Sequence, residues 1–181
     1  MSEKVTTLPK QAVSIETIVI VGIFTALSAV ISALPIGIKI LGVPATLQTF
    51  AMAFLGFALG PVLGTASCGI YILMGLIGLP VYNGYTSGPG VLFGITGGFL
   101  FGFLFLSFLS GGGSLIGLVI CHLLGSAQFS VLCHKTFSES FLLVSLPYIP
   151  KDIVSVILAY VIAASVRTAL SKAKLLPESI R

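Results

Sequence analysis

Two residues able to do chemistry stand side by side in this chain, Lys151 and Asp152, at the start of a long apolar run. Ionisable residues at the edge of hydrocarbon usually face protein or a water-filled cavity, so this pair could bind a polar ligand. The alternative is structural. Asp152 would then complement the dipole of a helix N-terminus, and Lys151 would extend its amine to the membrane interface. The sequence leaves both interpretations open.

A second group of candidate ligand-binding residues is polar but uncharged. Residues 80–90 (PVYNGYTSGPG) contain three glycines and two prolines, which predict an irregular loop. Such a loop can orient a ligand without introducing charge, or its tyrosines can lie in an interfacial aromatic belt. The candidates are Tyr82, Asn83 and Tyr85 in the loop, Thr46 and Gln48 at the start of an earlier apolar run, and Gln128 in a later one.

The cysteines and histidines give no strong signal for catalysis or metal binding. The three cysteines form no CxxC motif, and the Cys121-His122 and Cys133-His134 steps would need further ligands to hold a metal. An intramembrane enzyme could use only these two histidines, and we expect no acidic residue in the spans to face them. For His122 a structural role is favoured over a proton relay. We therefore predict no catalytic residue, no metal site and no cofactor.

The elements that position these residues must be helices in a membrane. No Asp, Glu, Lys or Arg occurs between Lys39 and Lys135, and charged residues make up 8% of the chain, against roughly 25% in soluble domains. Mean hydropathy is +1.16. The chain is predicted to be an all-α membrane protein, one domain with six transmembrane helices of roughly 20 residues each. The predicted spans are 14–34, 46–60, 61–79, 91–110, 115–134 and 150–170.

The basic residues predict how the bundle is oriented. Lysine and arginine near span ends are retained in the cytoplasm, and here they cluster at both ends of the chain, so both termini are predicted to be cytoplasmic. Connectors 35–45, 80–90 and 135–149 would then lie outside, where they can converge on Lys151 and Asp152. The sequence has no basic stripe interleaved with aromatic residues, so it does not indicate binding to nucleic acid. The basic residues are Lys4, Lys10, Arg167, Lys172, Lys174 and Arg181.

Small residues recur along the first predicted span. Gly22, Ala26, Ala29 and Ala33 make two small-xxx-small steps. Such a surface allows close helix approach, either inside the bundle or against a partner membrane protein.

Several motifs between residues 43 and 155 occur together. The second predicted span opens with Pro44, Thr46, Gln48 and Thr49; LGPVLG (59–64) and GLPV (78–81) follow, and after the polar loop come GITGGF (94–99) and PYIPKD (147–152). Together they resemble the BioY family, the biotin-binding substrate components of energy-coupling factor (ECF) vitamin transporters. Ile95, Phe99 and Ser155 stand where the family pattern has proline, tyrosine and lysine, and Lys151 replaces a glycine.

The resemblance implies a six-helix substrate component that binds biotin near the outer face of the cytoplasmic membrane. It also implies docking onto a transmembrane coupling protein and paired ABC-type ATPases, through the small-residue face of the first span. Asp152 matches the aspartate of the family pattern. The family lysine that would bind the ligand carboxylate has no counterpart, because Ser155 stands at its position.

Biotin also suits the chemistry of the candidate residues. Its ureido group could bind Asp152, Asn83 and Gln48, its apolar parts could pack on Tyr82, Tyr85 and Phe93, and its carboxylate could stay near the mouth. The alternatives are a substrate component for another vitamin, an intramembrane enzyme, or a structural subunit.

Overall fold

A computed structural model describes residues 14–35, 39–40, 43–173 and 175, with the backbone alone at 39–40 and 43–44. Lys4, Lys10, Lys174 and Arg181, which support the predicted orientation, lie outside these residues. The described residues form seven helices and one antiparallel pair of two-residue strands. They are α1 (Ile15–Ala33), β1 (Lys39–Ile40), β2 (Val43–Pro44), α2 (Gln48–Leu76), α3 (Pro89–Leu92), α4 (Gly97–Leu109), α5 (Ser114–Cys133), α6 (Phe137–Val144) and α7 (Ile149–Lys172).

Helix α1 has clear signals at both ends. The Ser14 hydroxyl accepts a hydrogen bond from the Thr17 N–H at 3.2 Å, which caps the first turn. Leu34 after its last residue is extended, because the residue before a proline avoids the helical region. The face of α1 that carries Thr25, Ser28 and Ser32 is buried.

Helix α2 is a hairpin of two helical arms rather than one rod. Gly60 has a φ of 79° and a ψ of 174°, a conformation that only glycine adopts without strain, and Pro61 follows it. A Cβ built on Gly64 would lie 2.7 Å from the Gly56 Cα, and Gln48 bonds Tyr71, so the arms run back along each other. The predicted turn at 60–61 is therefore present in the backbone.

Helices α4 and α5 pack closely, and α4 also packs against α2. A Cβ on Gly102 would lie 2.5 Å from the Cys121 Cα, and one on Gly117 would lie 2.8 Å from the Leu106 Cα. Glycine at these positions lets the two backbones approach, as expected for helices in lipid. Helix α7 packs on α2, and α6 packs on α5.

Two predicted connectors contain helices. Residues 135–149 include α6, which begins with a capping box between Thr136 and Glu139; the Thr136 N–H bond holds the pKa of Glu139 below its usual range. Helix α4 begins at Gly97 rather than near 91, because residues 89–96 form α3 and a turn. This later start is not visible in the sequence, since residues 91–96 are largely apolar.

Large apolar side chains are exposed along the outer faces of the helices, including Ile18 and Ile23 on α1 and Ile157 and Val161 on α7. Lipid contact explains such surfaces. Helices α1, α5 and α7 are each long and apolar enough to cross a membrane, as are the 29 residues of α2 taken together, and α4 is a shorter apolar helix. The count of six crossings stays a prediction, because α4 and each arm of α2 are shorter than the roughly 20 residues of a straight span.

Candidate functional site

A cavity of about 460 Å³ lies where α4, α5, α7, the start of α2 and the 80–96 segment meet. Six of the eight predicted ligand-binding residues line it: Thr46, Gln48, Tyr82, Asn83, Lys151 and Asp152. Apolar walls come from Leu100, Phe99 and Phe103 on α4 and Val144 on α6. Polar residues with no predicted role in binding also line the cavity: Thr49, Thr86, Thr96, His122 and Tyr148.

The charged side of the cavity consists of Lys151, Asp152 and His122. The Lys151 Nζ lies 2.5 Å from the Asp152 Oδ1 and also donates to the Thr46 carbonyl at 2.8 Å. The His122 Nε2 lies 3.4 Å from the Asp152 Oδ2. Asp152 is 5% exposed, so its charge is held among these partners and not by water.

Sequence reasoning missed His122 as a site residue. The expectation that no acidic residue faces the histidines is wrong for His122, because α7 places Asp152 against it. His122 is 3% exposed, its ring meets Phe99 edge-on at 5.9 Å between centroids, and its carbonyl accepts from Ser145 at 3.2 Å. The available signal was polarity: a buried histidine in an apolar span needs a partner.

The loop side of the cavity consists of Tyr82, Asn83, Thr86 and residues 90–96. The Asn83 Oδ1 is buried with no hydrogen-bond partner among the described residues. The Tyr82 hydroxyl donates to the Ile72 carbonyl at 2.7 Å, and burial raises the pKa of its phenol, which keeps it a donor. Gln48, at the edge of this side, donates its Nε2 to the Tyr71 hydroxyl at 2.8 Å, which leaves its Oε1 as an acceptor.

Gln128 and Tyr85 do not line the cavity. The Gln128 Nε2 donates to the carbonyls of Leu92 at 3.2 Å and Gly94 at 2.6 Å, so Gln128 fixes the loop side from behind. Tyr85 is 59% exposed with a φ of 59°, and Phe93, the other aromatic residue suggested as a wall, is also exposed.

The four small residues of α1 divide into two pairs. Gly22 and Ala26 are exposed, whereas Ala29 and Ala33 are buried at 5% and 4% exposure. The carbonyl of Ala33 accepts from the Gly84 N–H at 3.0 Å, which joins the end of α1 to the polar loop. Only the first pair is therefore open to a partner without repacking the bundle.

The described residues bring no three His, Cys, Asp or Glu side chains together as a metal site. Cys68 and Cys121 are buried as free thiols.

Comparison with known proteins identifies the family. Residues 3–172 match the BioY family. The chain belongs to the BioY family. Its relatives include the "Probable biotin transporter BioY" of Pyrococcus horikoshii, 36% identical over 80% of this chain and 91% of that protein. Another is the "Biotin transporter BioY" of Thermotoga maritima, 33% identical over 78% of this chain and 90% of the relative.

A solved structure supports the same conclusion. The crystal structure of "the S-component for biotin from an ECF-type ABC transporter" matches with a TM-score of 0.71 and 28% identity, over 87% of this chain and 95% of that one. The resemblance to BioY and the predicted all-α, substrate-component-like membrane fold are confirmed. BioY-family relatives are named as transporters, which confirms that the chain is not an enzyme.

Proposed function

We propose that this BioY-family protein binds biotin in the cavity between α4, α5, α7 and the polar loop and mediates its uptake across the cytoplasmic membrane. The observation that carries the proposal is the cavity itself. It combines one buried carboxylate, Asp152, with apolar walls and with the Asn83 Oδ1, an amide oxygen that has no hydrogen-bond partner among the described residues. Small-molecule sites have this composition, in which few polar groups fix the orientation of a mostly apolar ligand.

The chemistry of biotin matches these groups. Its ureido ring has two N–H donors, for which Asp152 and the Asn83 Oδ1 are suitable acceptors. Its carbonyl needs a donor, which Lys151 can supply beside Asp152. Its sulfur-containing ring and aliphatic chain are apolar and fit against Phe99, Leu100 and Phe103. Thr46 and Gln48 complete the polar rim at the start of α2.

Energised uptake needs partners in this proposal. The sequence has no GxxxxGK[ST] phosphate-binding loop, so a transmembrane coupling protein and ABC-type ATPases would supply the energy. We assign the exposed pair on α1, Gly22 and Ala26, to the coupling protein, because small residues permit close helix approach.

The partner surface can be tested with matched leucine variants. Ala26→Leu should reduce co-purification with the coupling protein while biotin affinity stays unchanged, because the exposed side chain meets only the partner. Ala29→Leu should instead lower thermal stability, since Ala29 is buried within the bundle. Equal co-purification of Ala26→Leu and the unmodified protein would remove α1 as the contact.

Both termini are proposed to be cytoplasmic, with the polar loop and α6 outside. Cysteine labelling tests this orientation in a Cys133→Ser background, since the other two cysteines are buried. Ser138→Cys on exposed α6 should react with a membrane-impermeant reagent in intact cells, and Lys172→Cys should react only after lysis. Labelling of both from the same side would contradict the topology.

The identity of the ligand is tested by thermal unfolding of the purified protein in the presence of biotin, thiamine or riboflavin. A ligand at 100 times its Kd adds about 2.7 kcal/mol to stability, so biotin should raise the Tm by several degrees. Thiamine and riboflavin should not. Stabilisation by another vitamin would identify a different substrate component, and no stabilisation by any vitamin would favour a structural subunit.

A further inference from the structure

His122 is a buried titratable group of the cavity that the proposed contacts with biotin do not use. It is 3% exposed and lines the cavity. Neither ring nitrogen has a hydrogen-bond partner among the described residues, apart from the 3.4 Å approach of Nε2 to the Asp152 Oδ2. Histidine is the side chain whose charge changes near neutral pH, so this ring can hold a proton that the cavity lining needs.

The charges that line the cavity cancel before a ligand enters. Lys151 is the one cationic side chain and Asp152 the one carboxylate among the described lining residues, and they are paired at 2.5 Å. The remaining hydrogen bond of Lys151 goes to the Thr46 carbonyl. A ligand that carries a carboxylate therefore adds one uncompensated negative charge to a lining whose own charge is zero.

Among the described residues around His122, the formally charged side chains are Lys151 and Asp152. Helix α7 contributes Lys151 and Asp152, and the lining also includes the phenols of Tyr148 and Tyr82. Helix α5 itself contributes the neighbouring Cys121 thiol, which is buried. Helix α4 places the apolar Phe99 ring against His122. Ser145, which follows α6, donates its hydroxyl to the His122 carbonyl, so neither helix adds a charge next to the ring. The phenols and the thiol of this set can only lose a proton, so His122 is the one neutral side chain among these described residues that can become a cation by gaining one.

We propose that His122 takes up a proton when an anionic ligand binds, so that the proton is a second ligand of the cavity. The protonated ring would lie against the Asp152 Oδ2 and compensate the ligand carboxylate. At an effective dielectric constant near 20, the attraction between two opposite charges about 10 Å apart raises affinity by roughly tenfold. The protonated ring therefore strengthens binding of the carboxylate without touching it. This inference rests on the proposed function, because biotin is such an anion.

The linkage has a definite sign. If the complex holds more protons than the free protein, affinity for the anion is highest at low pH within the neutral range and weakens as pH rises. The limit is about tenfold per pH unit for one proton. A neutral analogue of the ligand, such as biotin amide, should show no such slope between pH 6.5 and 8.5, a range in which the biotin carboxyl itself stays ionised.

Isothermal titration calorimetry of the full-length protein measures the proton directly. The titration is repeated at pH 7.5 in buffers with different ionisation enthalpies, with biotin and with biotin amide as the two probes. We expect the observed enthalpy for biotin to change with the buffer, by an amount that corresponds to proton uptake, and the enthalpy for the amide to be independent of it. A buffer-independent enthalpy for biotin overturns the proposal.

The chain has two histidines, which provides a matched control. His122→Gln should abolish the proton uptake, whereas His134→Asn, at an exposed left-handed position that asparagine tolerates, should leave it unchanged. If His122→Gln does not fold, the imidazole resonances of the unmodified protein serve instead: biotin should move the titration of one histidine and leave the other in place. Proton uptake that persists in folded His122→Gln, or movement of neither resonance, overturns the proposal. Biotin binding without proton uptake leaves the proposed function intact, whereas no biotin binding in any buffer refutes that function.

Discussion

The charged side and the loop side of the cavity are built in different ways. The charged side consists of three side chains on regular helices, Lys151, Asp152 and His122, held by contacts with one another. The loop side has no formal charge, and its shape depends on the backbone between Tyr82 and Thr96, which Gln128 fixes from behind. One side provides strong, directional polar contacts. The other provides shape and the Asn83 Oδ1, an acceptor without a partner in the part of the chain that the structure describes.

This difference makes the two sides respond differently to substitution. Removing a member of the charged side leaves a buried charge without its partner, which is costly. Removing a group from the loop side loosens a wall and costs the net value of ordinary hydrogen bonds. The predictions below test that difference, from the largest expected effect to the smallest.

Asp152→Asn should have the largest effect on biotin affinity. The substitution keeps the shape but replaces one acceptor oxygen with a donor that faces the ureido N–H. A hydrogen bond to a charged group contributes roughly 1.5–3 kcal/mol, so affinity should fall by about tenfold to a hundredfold. Equilibrium titration of the purified variant measures the change, with thermal unfolding as the control for folding. Unchanged affinity in a folded variant would remove Asp152 from the site.

Gln128→Ala tests whether the loop side of the cavity needs the hydrogen bonds from Gln128 to keep its shape. Two hydrogen bonds to the carbonyls of Leu92 and Gly94 are lost, at about 1 kcal/mol each or less. We expect biotin affinity to fall by about tenfold and stability to decrease. Gln128→Glu, which keeps the size but brings oxygens against both carbonyls, should be no better. Wild-type affinity in Gln128→Ala would show that the wall keeps its shape without this contact.

Lys151→Ala separates two roles of the lysine. In the structure the amine is engaged with Asp152 and the Thr46 carbonyl. Its removal should weaken biotin amide by severalfold and biotin by about tenfold, because the cavity lining then carries a net negative charge. The comparison is made by titrating both ligands into the same preparation. A loss of a hundredfold or more for biotin, with the amide still weakened only severalfold, would mean that Lys151 binds the ligand carboxylate directly.

Two tyrosines of the polar loop should give the smallest effects. Tyr85→Asn should change biotin affinity by less than about twofold, because Tyr85 is exposed, lies outside the cavity and has a backbone conformation that asparagine tolerates. Tyr82→Phe should lower stability by about 1 kcal/mol through loss of the bond to Ile72. Chemical denaturation and titration of both variants measure these changes. A larger affinity loss for Tyr85→Asn than for Tyr82→Phe would place the ligand on the outer surface of the loop.

The sequence predicted the helical membrane architecture well, because composition and charge-free runs follow directly from the lipid solvent. The turn at Gly60 and Pro61 was also accessible, since glycine and proline together mark a break. It was harder to predict how far each helix extends. Residues 91–96 are as apolar as a span, yet they form the end of α3 and a turn. Sequence reasoning could not show this, because the hydrogen bonds that hold this segment come from Gln128 on a distant helix.

The site residues also divide into those visible in the local sequence and those whose role depends on a contact with a distant helix. Lys151 and Asp152 were conspicuous as charges in an apolar context, and Asn83 stood out in a polar loop. His122 did not, because its importance comes from a partner 30 positions away on α7 that only the packing of α5 and α7 brings within 3.4 Å. Gln128 was placed near the ligand by its polarity, but helix rotation directs its amide at the backbone of the loop.

The central claim is that the cavity between the charged side and the loop side binds biotin. An experimental structure of the protein with saturating biotin tests it most directly. We expect the ureido ring within hydrogen-bond distance of Asp152 and Asn83, with the sulfur-containing ring against Phe99 and Phe103. Biotin bound elsewhere on the protein, with this cavity filled only by solvent or lipid, would contradict the claim.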